Sequence, residues 1–268
     1  MLEILLNADP VAFSIGPLEV RWYGLAYLAG MLLGLSYAKW IVRRIFITDK
    51  TSITTQHLDE IFIWIVLGII FGARIGYIIF YQPSLILINP LSLIAIWEGG
   101  MSFHGGAIGV ILALIFFSII KRISLLQLGD VVCSVVPIGL FFGRLANFIN
   151  SELWGKTTSM PWGVIFTNAG PTPRHPSQLY EAALEGILIL IILFIFIKKD
   201  YLKYKGFISG SFLFLYAAFR IFIENFREPD AHIGYIYNFI TMGTILSIPL
   251  LITGLILIIY SIRVNGKN

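Results

Sequence analysis

The stretch IGYIYNFITMGTILSIPLLITGLILIIYSI, residues 233–262, contains no charged side chain. A helix needs roughly 20 mostly apolar residues to cross the hydrocarbon core of a bilayer, and this stretch is longer than that. The whole chain has the same character, since 57% of its 268 residues are hydrophobic and 13% are charged. Soluble domains carry about 25% charged residues. The sequence therefore predicts an integral membrane protein.

Apolar stretches of spanning length recur along the chain, and linkers with proline, lysine and aspartate separate them. This pattern predicts an all-α, polytopic protein that forms a single membrane domain over residues 1–268. A shorter apolar stretch, 84–97, contains Pro90 and fits an interfacial or re-entrant arm better than a span. We predict seven transmembrane helices, with bounds near 20–40, 59–81, 104–121, 128–149, 178–198, 207–227 and 236–262.

Lysine and arginine are concentrated in alternate connections between these spans. By the positive-inside rule such connections face the cytoplasm, which predicts an external amino terminus and a cytoplasmic carboxyl terminus. The pI of about 9.1 then reflects topology, and we expect no nucleic-acid partner. The single cysteine, Cys133, excludes a disulfide framework and a cysteine-based metal site. The cations on the predicted cytoplasmic side are Lys39, Arg43, Arg44, Lys50, Lys121, Arg122, Lys198, Lys199, Lys203, Lys205, Arg263 and Lys267.

Polar side chains interrupt the fourth predicted span near its outer end. In FFGRLANFINSELWG, residues 141–155, a guanidinium, two amides and a carboxylate arrive within nine residues: Arg144, Asn147, Asn150 and Glu152. At about 100° per residue the first three share one face, and Glu152 joins them only if the helix has ended. A charge in the bilayer core costs roughly 2.5–3.5 kcal/mol and is usually functional or paired. These groups either bind a ligand or hold neighbouring helices together.

Other polar residues fall at the same predicted depth. Arg220, Glu224 and Arg227 form one stripe near the outer end of the sixth span, where Arg220 and Glu224 either pair structurally or leave a net cation for a ligand. His104 opens the third span between paired glycines, and Tyr23 opens the first. Guanidinium groups recognise phosphate through forked hydrogen bonds. The arrangement favours an anionic lipid headgroup as ligand and group transfer to or from a phospholipid as chemistry.

The segment GRLANFINSELWG, residues 143–155, resembles the signature of the bacterial prolipoprotein diacylglyceryl transferases. Every fixed position of that signature is filled, by Gly143, Arg144, Asn147, Phe148, Asn150, Glu152 and Gly155. The resemblance covers nearly the whole chain and is weakest over 156–173. Further matches are FSIGP at 13–17, WYGLAYL at 22–28, GARIGY at 72–77, GGMSFHGG at 99–106, RHPSQLYE at 174–181 and FRIFIENFREPDA at 219–231.

This resemblance implies an enzyme that moves the diacylglyceryl group of phosphatidylglycerol onto the lipobox cysteine of a prolipoprotein and releases glycerol 1-phosphate. It implies a multi-pass protein of the bacterial cytoplasmic membrane with an outward-facing site, and we expect a monomer without metal or cofactor. The catalytic residues implied are His104, Arg144, Arg220 and Tyr23. The residues implied in phosphatidylglycerol binding are Arg144, Arg220, Asn147, Asn150, Glu152, Gly155, Glu224 and Arg227.

Three alternatives for the fate of the thiol proton stay open at this point. A free thiol has a pKa of about 8.5, and its thiolate is the nucleophile. Either His104 accepts the thiol proton, or another group does so, or the thiolate forms by itself near neutral pH. Rival functions are an anion transporter, which would favour a site at the midplane and internal repeats, and a lipid-binding scaffold, which would need the arginines but not His104. The charges crowd the outer ends and we find no repeat, which disfavours the transporter. Consumption of a thiol distinguishes the enzyme from both rivals.

Overall fold

Each predicted span is a helix in the computed structural model, which describes residues 11–16, 18–45, 53–229, 236 and 240–265. Within these residues six helices are long and apolar enough to cross a bilayer, and a seventh apolar helix is shorter. The prediction of an all-α polytopic membrane protein is therefore confirmed. The predicted orientation of the termini concerns residues that lie partly outside the described ranges, and it stays a prediction.

The elements follow the predicted order, with one addition at the start. A short antiparallel hairpin, β1 (Val11–Ile15) and β2 (Leu18–Arg21), precedes the first helix and was not predicted. The long helices are α1 (Trp22–Ile45), α2 (Thr55–Tyr81), α4 (Phe103–Lys121), α5 (Leu125–Ile149), α8 (Phe207–Ile223) and α9 (Met242–Asn265). The fifth span, Ser177–Lys198, is continuous and consists of α6 (Ser177–Glu181), a π-helical segment (Ala182–Leu188) and α7 (Ile189–Lys198).

Four predicted helix bounds are wrong by four or more residues. The first span was expected to end at residue 40 and the second to begin at residue 59, but α1 continues to Ile45 and α2 begins at Thr55. The sixth span was expected to reach residue 227, but α8 ends at Ile223 and a turn follows. The seventh was expected from residue 236, but α9 begins at Met242, and Ile236 instead pairs with Ile240 in an isolated bridge. In these last two cases polar residues near the helix end were counted as helical because the apolar pattern around them continues.

The described residues form two compact units. The first contains the described parts of 1–37 and 130–268, and the second contains 38–129. Helices α1 and α5 each contribute residues to both units. The expectation of one membrane domain over residues 1–268 stays a prediction.

Glycine residues let α2 and α4 approach closely within the second unit. A Cβ atom at Gly72 would lie 2.5 Å from the carbonyl oxygen of Gly105, and one at Gly76 would lie 2.6 Å from its Cα. Gly68 and Gly109 are in equally close backbone contact. Small residues at such spacing are how membrane helices gain packing without a hydrophobic driving force. The GARIGY and HGG motifs therefore have a packing role.

The predicted arm at 84–97 is a series of short helical turns that is fastened to α2. It contains α3 (Leu85–Ile88) and 3₁₀ turns at Pro90–Leu93 and Ile96–Glu98. Arg74 of α2 is 2% exposed, donates to the carbonyl oxygen of Ser92 at 2.8 Å and forms an ion pair with Glu98 at 2.6 Å. A buried charge must be paired, so this arginine fixes the arm. The arm's position relative to a bilayer stays a prediction.

In the first unit, a buried carboxylate from α5 caps the amino-terminal end of α8. Asp130 of α5 is fully buried and accepts hydrogen bonds from the backbone N–H groups of Gly206 and Ser209, at 2.7 and 2.8 Å, and from the Ser209 hydroxyl at 2.8 Å. The first N–H groups of a helix lack partners within the helix, and a negative charge there is favourable. Asp130 therefore caps α8 and fixes that helix against α5.

We expect Gly72→Ala to lower the unfolding temperature of the purified protein, because the new methyl group would meet the Gly105 carbonyl at 2.5 Å. Overpacking of this kind costs about 1–3 kcal/mol. Gly106→Ala is the matched control, since its Cβ would meet neighbouring atoms at 3.6 Å, an ordinary contact. Thermal unfolding in detergent measures both variants. Equal unfolding temperatures would contradict the packing role of Gly72.

Candidate functional site

The signature segment at the end of α5 folds back on itself. The helix ends at Ile149, and Ser151 and Leu153 adopt left-handed backbone angles, with φ of 53° and 56°. This reversal brings the Glu152 carboxylate to 3.3 Å from the side-chain amide of Asn147. The helix therefore ends before Glu152, and this is the condition under which the sequence placed Glu152 beside Asn147. Asn150 lies in the same turn and is half-buried.

Gly155 joins three chain segments that are distant in sequence. Its N–H donates to the His175 carbonyl at 2.9 Å, and the next N–H, of Lys156, donates to the Phe226 carbonyl at 2.9 Å. Gly155 also pairs with Arg227 in an antiparallel bridge. A Cβ atom at this position would lie 2.5 Å from the His175 carbonyl oxygen and 2.6 Å from that of Phe226. Gly155 therefore acts by its shape, because it lets the segments before α6 and after α8 close on the end of α5.

One carboxylate lies between three guanidinium groups in the first unit. The Glu181 side chain is fully buried at the end of α6. Its Oε2 atom is 3.0 Å from Nε of Arg144, and its Oε1 atom is 2.5 Å from Nη1 of Arg220 and 3.1 Å from Nη1 of Arg227. The three arginines come from α5, from α8 and from the turn after α8. Glu181 thus brings together the arginines that the sequence placed at one depth.

Two further carboxylates complete this cluster. Glu185 is fully buried, with Oε2 3.5 Å from Nη2 of Arg144. Glu224 is paired with Arg220, and Gly243 in the first turn of α9 lies directly against this pair. The three arginines and three glutamates balance in formal charge. We had expected a net positive stripe from Arg220 and Arg227 alone, and that expectation omitted the carboxylates from the fifth span.

Glu181 and Glu185 were not predicted as site residues, although the sequence contains a signal for them. Glu181 and Glu185 are four residues apart, and no other charged residue occurs from Ser177 to Ile197. Two carboxylates at that spacing share one face of a helix, and in a membrane helix such groups face protein rather than lipid.

The helix that carries both glutamates contains a π-helical segment directly after Glu181. Such segments are uncommon and are frequent at functional sites. Gly186 lies within it, where a Cβ atom would be 2.7 Å from Cβ of Phe141 on α5. The close approach of the two backbones at Gly186 explains how Glu185 reaches Arg144, which follows Phe141 by about one turn.

Two tyrosines interact with the cluster. Tyr23 is half-buried at the start of α1, with its hydroxyl 3.0 Å from that of Tyr27, and it interacts electrostatically with Glu152 and Arg144. Tyr216 lies one turn before Arg220 on α8 and interacts electrostatically with Glu185 and Arg144. Tyr23 was predicted as a site residue, whereas Tyr216 was missed because an aromatic residue in an apolar helix carries no distinctive signal.

His104 belongs to the second unit. It is the second residue of α4, its side chain is exposed, and its ring meets that of Phe103 edge to face at 5.7 Å. Ser102 caps this helix end by accepting from the Gly105 N–H at 3.3 Å. The histidine is thus accessible at a helix terminus. Its role in proton transfer stays a prediction.

The loop 156–173, where the family resemblance is weakest, is folded. Val164 and Phe166 are buried against Phe148 of α5, and Trp154 packs beside them. Arg174 at the end of the loop donates to the Gly155 carbonyl at 3.2 Å and pairs with Glu228 at 3.2 Å. This small core holds the loop against the segments that surround Gly155.

An apolar cavity of about 580 Å³ lies beside the cluster in the first unit. Its walls come from α1, α5, the π-helical segment and α7. Two wall residues are close in sequence to the cluster: Phe142 precedes Arg144 by two residues, and Gly186 follows Glu185 directly. Ligand sites typically combine an apolar cavity of 300–1,000 Å³ with a few placed polar groups. The lining residues are Leu33, Tyr37, Pro137, Ile138, Phe141, Phe142, Gly186, Ile187, Leu190, Ile191 and Phe194.

Comparison with known proteins identifies similar sequences over most of the chain. Residues 10–260 match the family described as prolipoprotein diacylglyceryl transferase. The chain is 54% identical over 251 residues to the phosphatidylglycerol–prolipoprotein diacylglyceryl transferase of Rhizobium meliloti, covering 92% of this chain and 90% of that protein. It is 46% identical over 263 residues to the enzyme of the same name from Paramagnetospirillum magneticum, covering 97% and 96%.

We expect Gly155→Ala to destabilise the protein, because the methyl group would overlap the carbonyls of His175 and Phe226. A cost of about 1–3 kcal/mol is typical of such overpacking. Gly139→Ala on α5 is the control, since its Cβ would meet no atom of the described residues within 4 Å. The readout is the unfolding temperature of each variant. If Gly155→Ala unfolds at the same temperature as Gly139→Ala, the close approach at Gly155 is not needed for stability.

Proposed function

This chain belongs to the prolipoprotein diacylglyceryl transferase family, and we propose that it transfers the diacylglyceryl group of phosphatidylglycerol to the cysteine thiol of a prolipoprotein lipobox. The products are a thioether-linked lipid on the protein and glycerol 1-phosphate. One structural observation carries the proposal beyond family membership: a cluster of three arginines adjoins an apolar cavity. A phospholipid has the same two parts, an anionic phosphate and apolar chains.

Arg144 is the arginine best suited to meet the phosphate. Its Nε atom contacts Glu181 at 3.0 Å, and its Nη2 atom has only a 3.5 Å contact with Glu185. Its side chain is 17% exposed, whereas Glu181 is fully buried. These ion pairs use Nε and Nη2, so the remaining N–H groups of the guanidinium are the ones proposed to meet the phosphate. Two N–H groups on one edge match the geometry of phosphate oxygens.

The reaction needs charge stabilisation at the leaving group. The thiol sulfur attacks the glyceryl carbon that bears the phosphate ester, so a C–S bond forms while the C–O bond breaks. The electron pair of that bond leaves with the phosphate oxygen, and the phosphodiester monoanion becomes a phosphomonoester dianion. Arg144 and Arg220 stabilise this added charge, to which one aimed donor contributes about 3–4 kcal/mol.

We assign the remaining predicted residues as supporting groups. His104 accepts the thiol proton, which its exposed position at a helix terminus allows. Tyr23, Asn147 and Asn150 bind the glycerol part of the headgroup. Glu152 orients Asn147, with which it forms a hydrogen bond of 3.3 Å.

Arg227 and Glu224 hold the other side of the cluster. Both are buried beside Arg220, and neither needs to touch the lipid for the arginines to keep their places. Gly155 closes the segments around the cluster, as its backbone contacts indicate.

The same proposal includes the membrane in which the protein acts and the side on which its active site lies. The curated relatives are bacterial, and the chain has several helices of spanning length. We therefore place the protein in the bacterial cytoplasmic membrane as a monomer. The charge distribution of the connections favours an active site toward the outer face, where a lipobox cysteine arrives behind its signal peptide.

The direct test measures glycerol phosphate released by the purified protein from phosphatidylglycerol and a lipobox peptide. We expect release to require the peptide cysteine and to fall at least about 100-fold in Arg144→Ala, because an aimed cationic donor is lost. His104→Gln should also lose most of the activity. Arg21→Ala is the matched control, because Arg21 is an exposed arginine of the same unit whose recorded partner, Glu19, lies outside the cluster.

Release that does not depend on the peptide cysteine would contradict the transferase. Full activity in Arg144→Ala would remove the phosphate-binding assignment, and full activity in His104→Gln would move the base to another group. A folded protein that binds the lipid but releases nothing would favour the lipid-binding scaffold or the transporter.

The cavity makes a separate prediction about lipid chain length. Leu190 lines the cavity on α7, and Leu190→Trp would fill part of it. We expect the rate with long-chain phosphatidylglycerol to fall about tenfold, the lower end of the effect of losing apolar contacts worth about 1–3 kcal/mol. The rate with a short-chain lipid, the internal control, should change little. An equal loss for both lipids would mean that the acyl chains lie elsewhere.

A further inference from the structure

The arginines of the cluster share one buried acidic partner. Glu181 contacts Arg144, Arg220 and Arg227 at 3.0, 2.5 and 3.1 Å, whereas Glu185 contacts Arg144 alone, at 3.5 Å. Glu224 is paired with Arg220. Among the described residues, Glu181 is thus the carboxylate that all three guanidinium groups meet.

The atom of Arg144 that Glu181 contacts determines how this carboxylate orients the guanidinium group. The Glu181 carboxylate lies 3.0 Å from Nε of Arg144, and the Glu185 carboxylate lies 3.5 Å from Nη2 of the same guanidinium. A planar guanidinium that is held at Nε cannot rotate without losing that contact. The position of Glu181 therefore sets the direction in which Arg144 presents its donors.

Burial separates Glu181 from the ligand itself. Its side chain is fully buried, while those of Arg144 and Arg220 are 17% and 13% exposed. The first turn of the following π-helical segment and the close contact at Gly186 hold its helix against α5. A lipid phosphate can thus meet the arginines without displacing the carboxylate behind them.

We propose that Glu181 is the positioning residue that holds Arg144 and Arg220 in the geometry for the departing phosphate, with Arg227 as a further partner of the same carboxylate. It does not touch the substrate and acts through the three arginines. This inference rests on the proposed function, because the departing group is the glycerol phosphate of that reaction. It adds a residue to the site that the family signature does not contain.

The predicted kinetic effect differs from that of a residue that only stabilises the fold. Glu181→Gln retains all three arginines and removes one negative charge, so the site still attracts the anionic lipid. The guanidinium groups, however, lose the carboxylate that orients them. Since a misplacement of about 1 Å can cost 100-fold in rate, we expect kcat to fall at least about 100-fold while KM for phosphatidylglycerol does not rise.

The experiment compares four variants of the full-length protein in mixed micelles, with rates divided by the amount of folded protein. Glu181→Asp keeps the charge on a side chain that is one methylene shorter. Its kcat should be at least about tenfold higher than that of Glu181→Gln, because the contact with the arginines is weakened but not abolished. Glu185→Gln is the matched control on the same helix, with equal burial and charge change but one loose contact. The loss of kcat in Glu185→Gln should be at least tenfold smaller than the loss in Glu181→Gln.

A second control separates catalysis from stability. Asp130 is another fully buried carboxylate of the same unit, with three hydrogen bonds at the start of α8. We expect Asp130→Asn to lower the unfolding temperature while kcat per folded molecule stays within threefold of wild type. If Glu181→Gln behaves in this way, Glu181 is structural and the proposal is overturned. A loss in Glu185→Gln equal to that in Glu181→Gln would also overturn it.

Failure of the proposed function would be visible in the wild-type protein, which would then release no glycerol phosphate. Retention of phosphatidylglycerol by purified protein tests Glu181 in that case. Glu181→Gln should retain the lipid as wild type does, while Arg144→Ala should lose it. Loss of the lipid in both variants would show that Glu181 is needed for binding and would overturn the positioning role. If Glu181→Gln does not fold, Glu181→Asp is read by the same criteria.

Discussion

Three guanidinium groups in a region of low dielectric constant repel one another and are costly to bury unless carboxylates lie between them. Glu181 meets this condition, because one fully buried carboxylate is within 3.1 Å of nitrogens on Arg144, Arg220 and Arg227. Removing one member of a buried ion cluster typically costs about 3–5 kcal/mol. The packing of the fifth span against α5 and α8 therefore depends on this charge balance.

The backbone around the cluster is arranged so that these charges can meet. Gly186 brings the helix of Glu181 and Glu185 against Phe141, and Gly155 brings three segments together beside the same helices. In both places a methyl group would overlap neighbouring atoms. The glycines of this site therefore contribute close approach, and the charged residues contribute the chemistry that close approach permits.

The cluster and the apolar cavity together give the site an amphipathic character that matches its proposed lipid substrate. The neutral balance of charge keeps the site stable before the lipid arrives, and the looser contact of Arg144 with Glu185 leaves donors for an incoming anion. Group transfer from phosphatidylglycerol increases the negative charge on the leaving phosphate. Preorganised arginines are suited to that change, because they need not reorient when the charge develops.

The sequence by itself determined that the chain crosses a membrane, because uncharged runs of spanning length, such as 242–262, are stable as helices only where lipid or protein surrounds them. It also determined the family, and the predicted end of the fourth span at residue 149 is confirmed, whereas the place of Glu152 relative to Asn147 was left open. Only the tertiary structure decided which carboxylates neutralise the arginines. Glu181 and Arg144 are remote in sequence, and their contact depends on how the fifth span packs on α5, which no local pattern specifies. The same holds for Arg227, which meets Glu181 from a turn after α8 and not from the helical stripe that its spacing suggested.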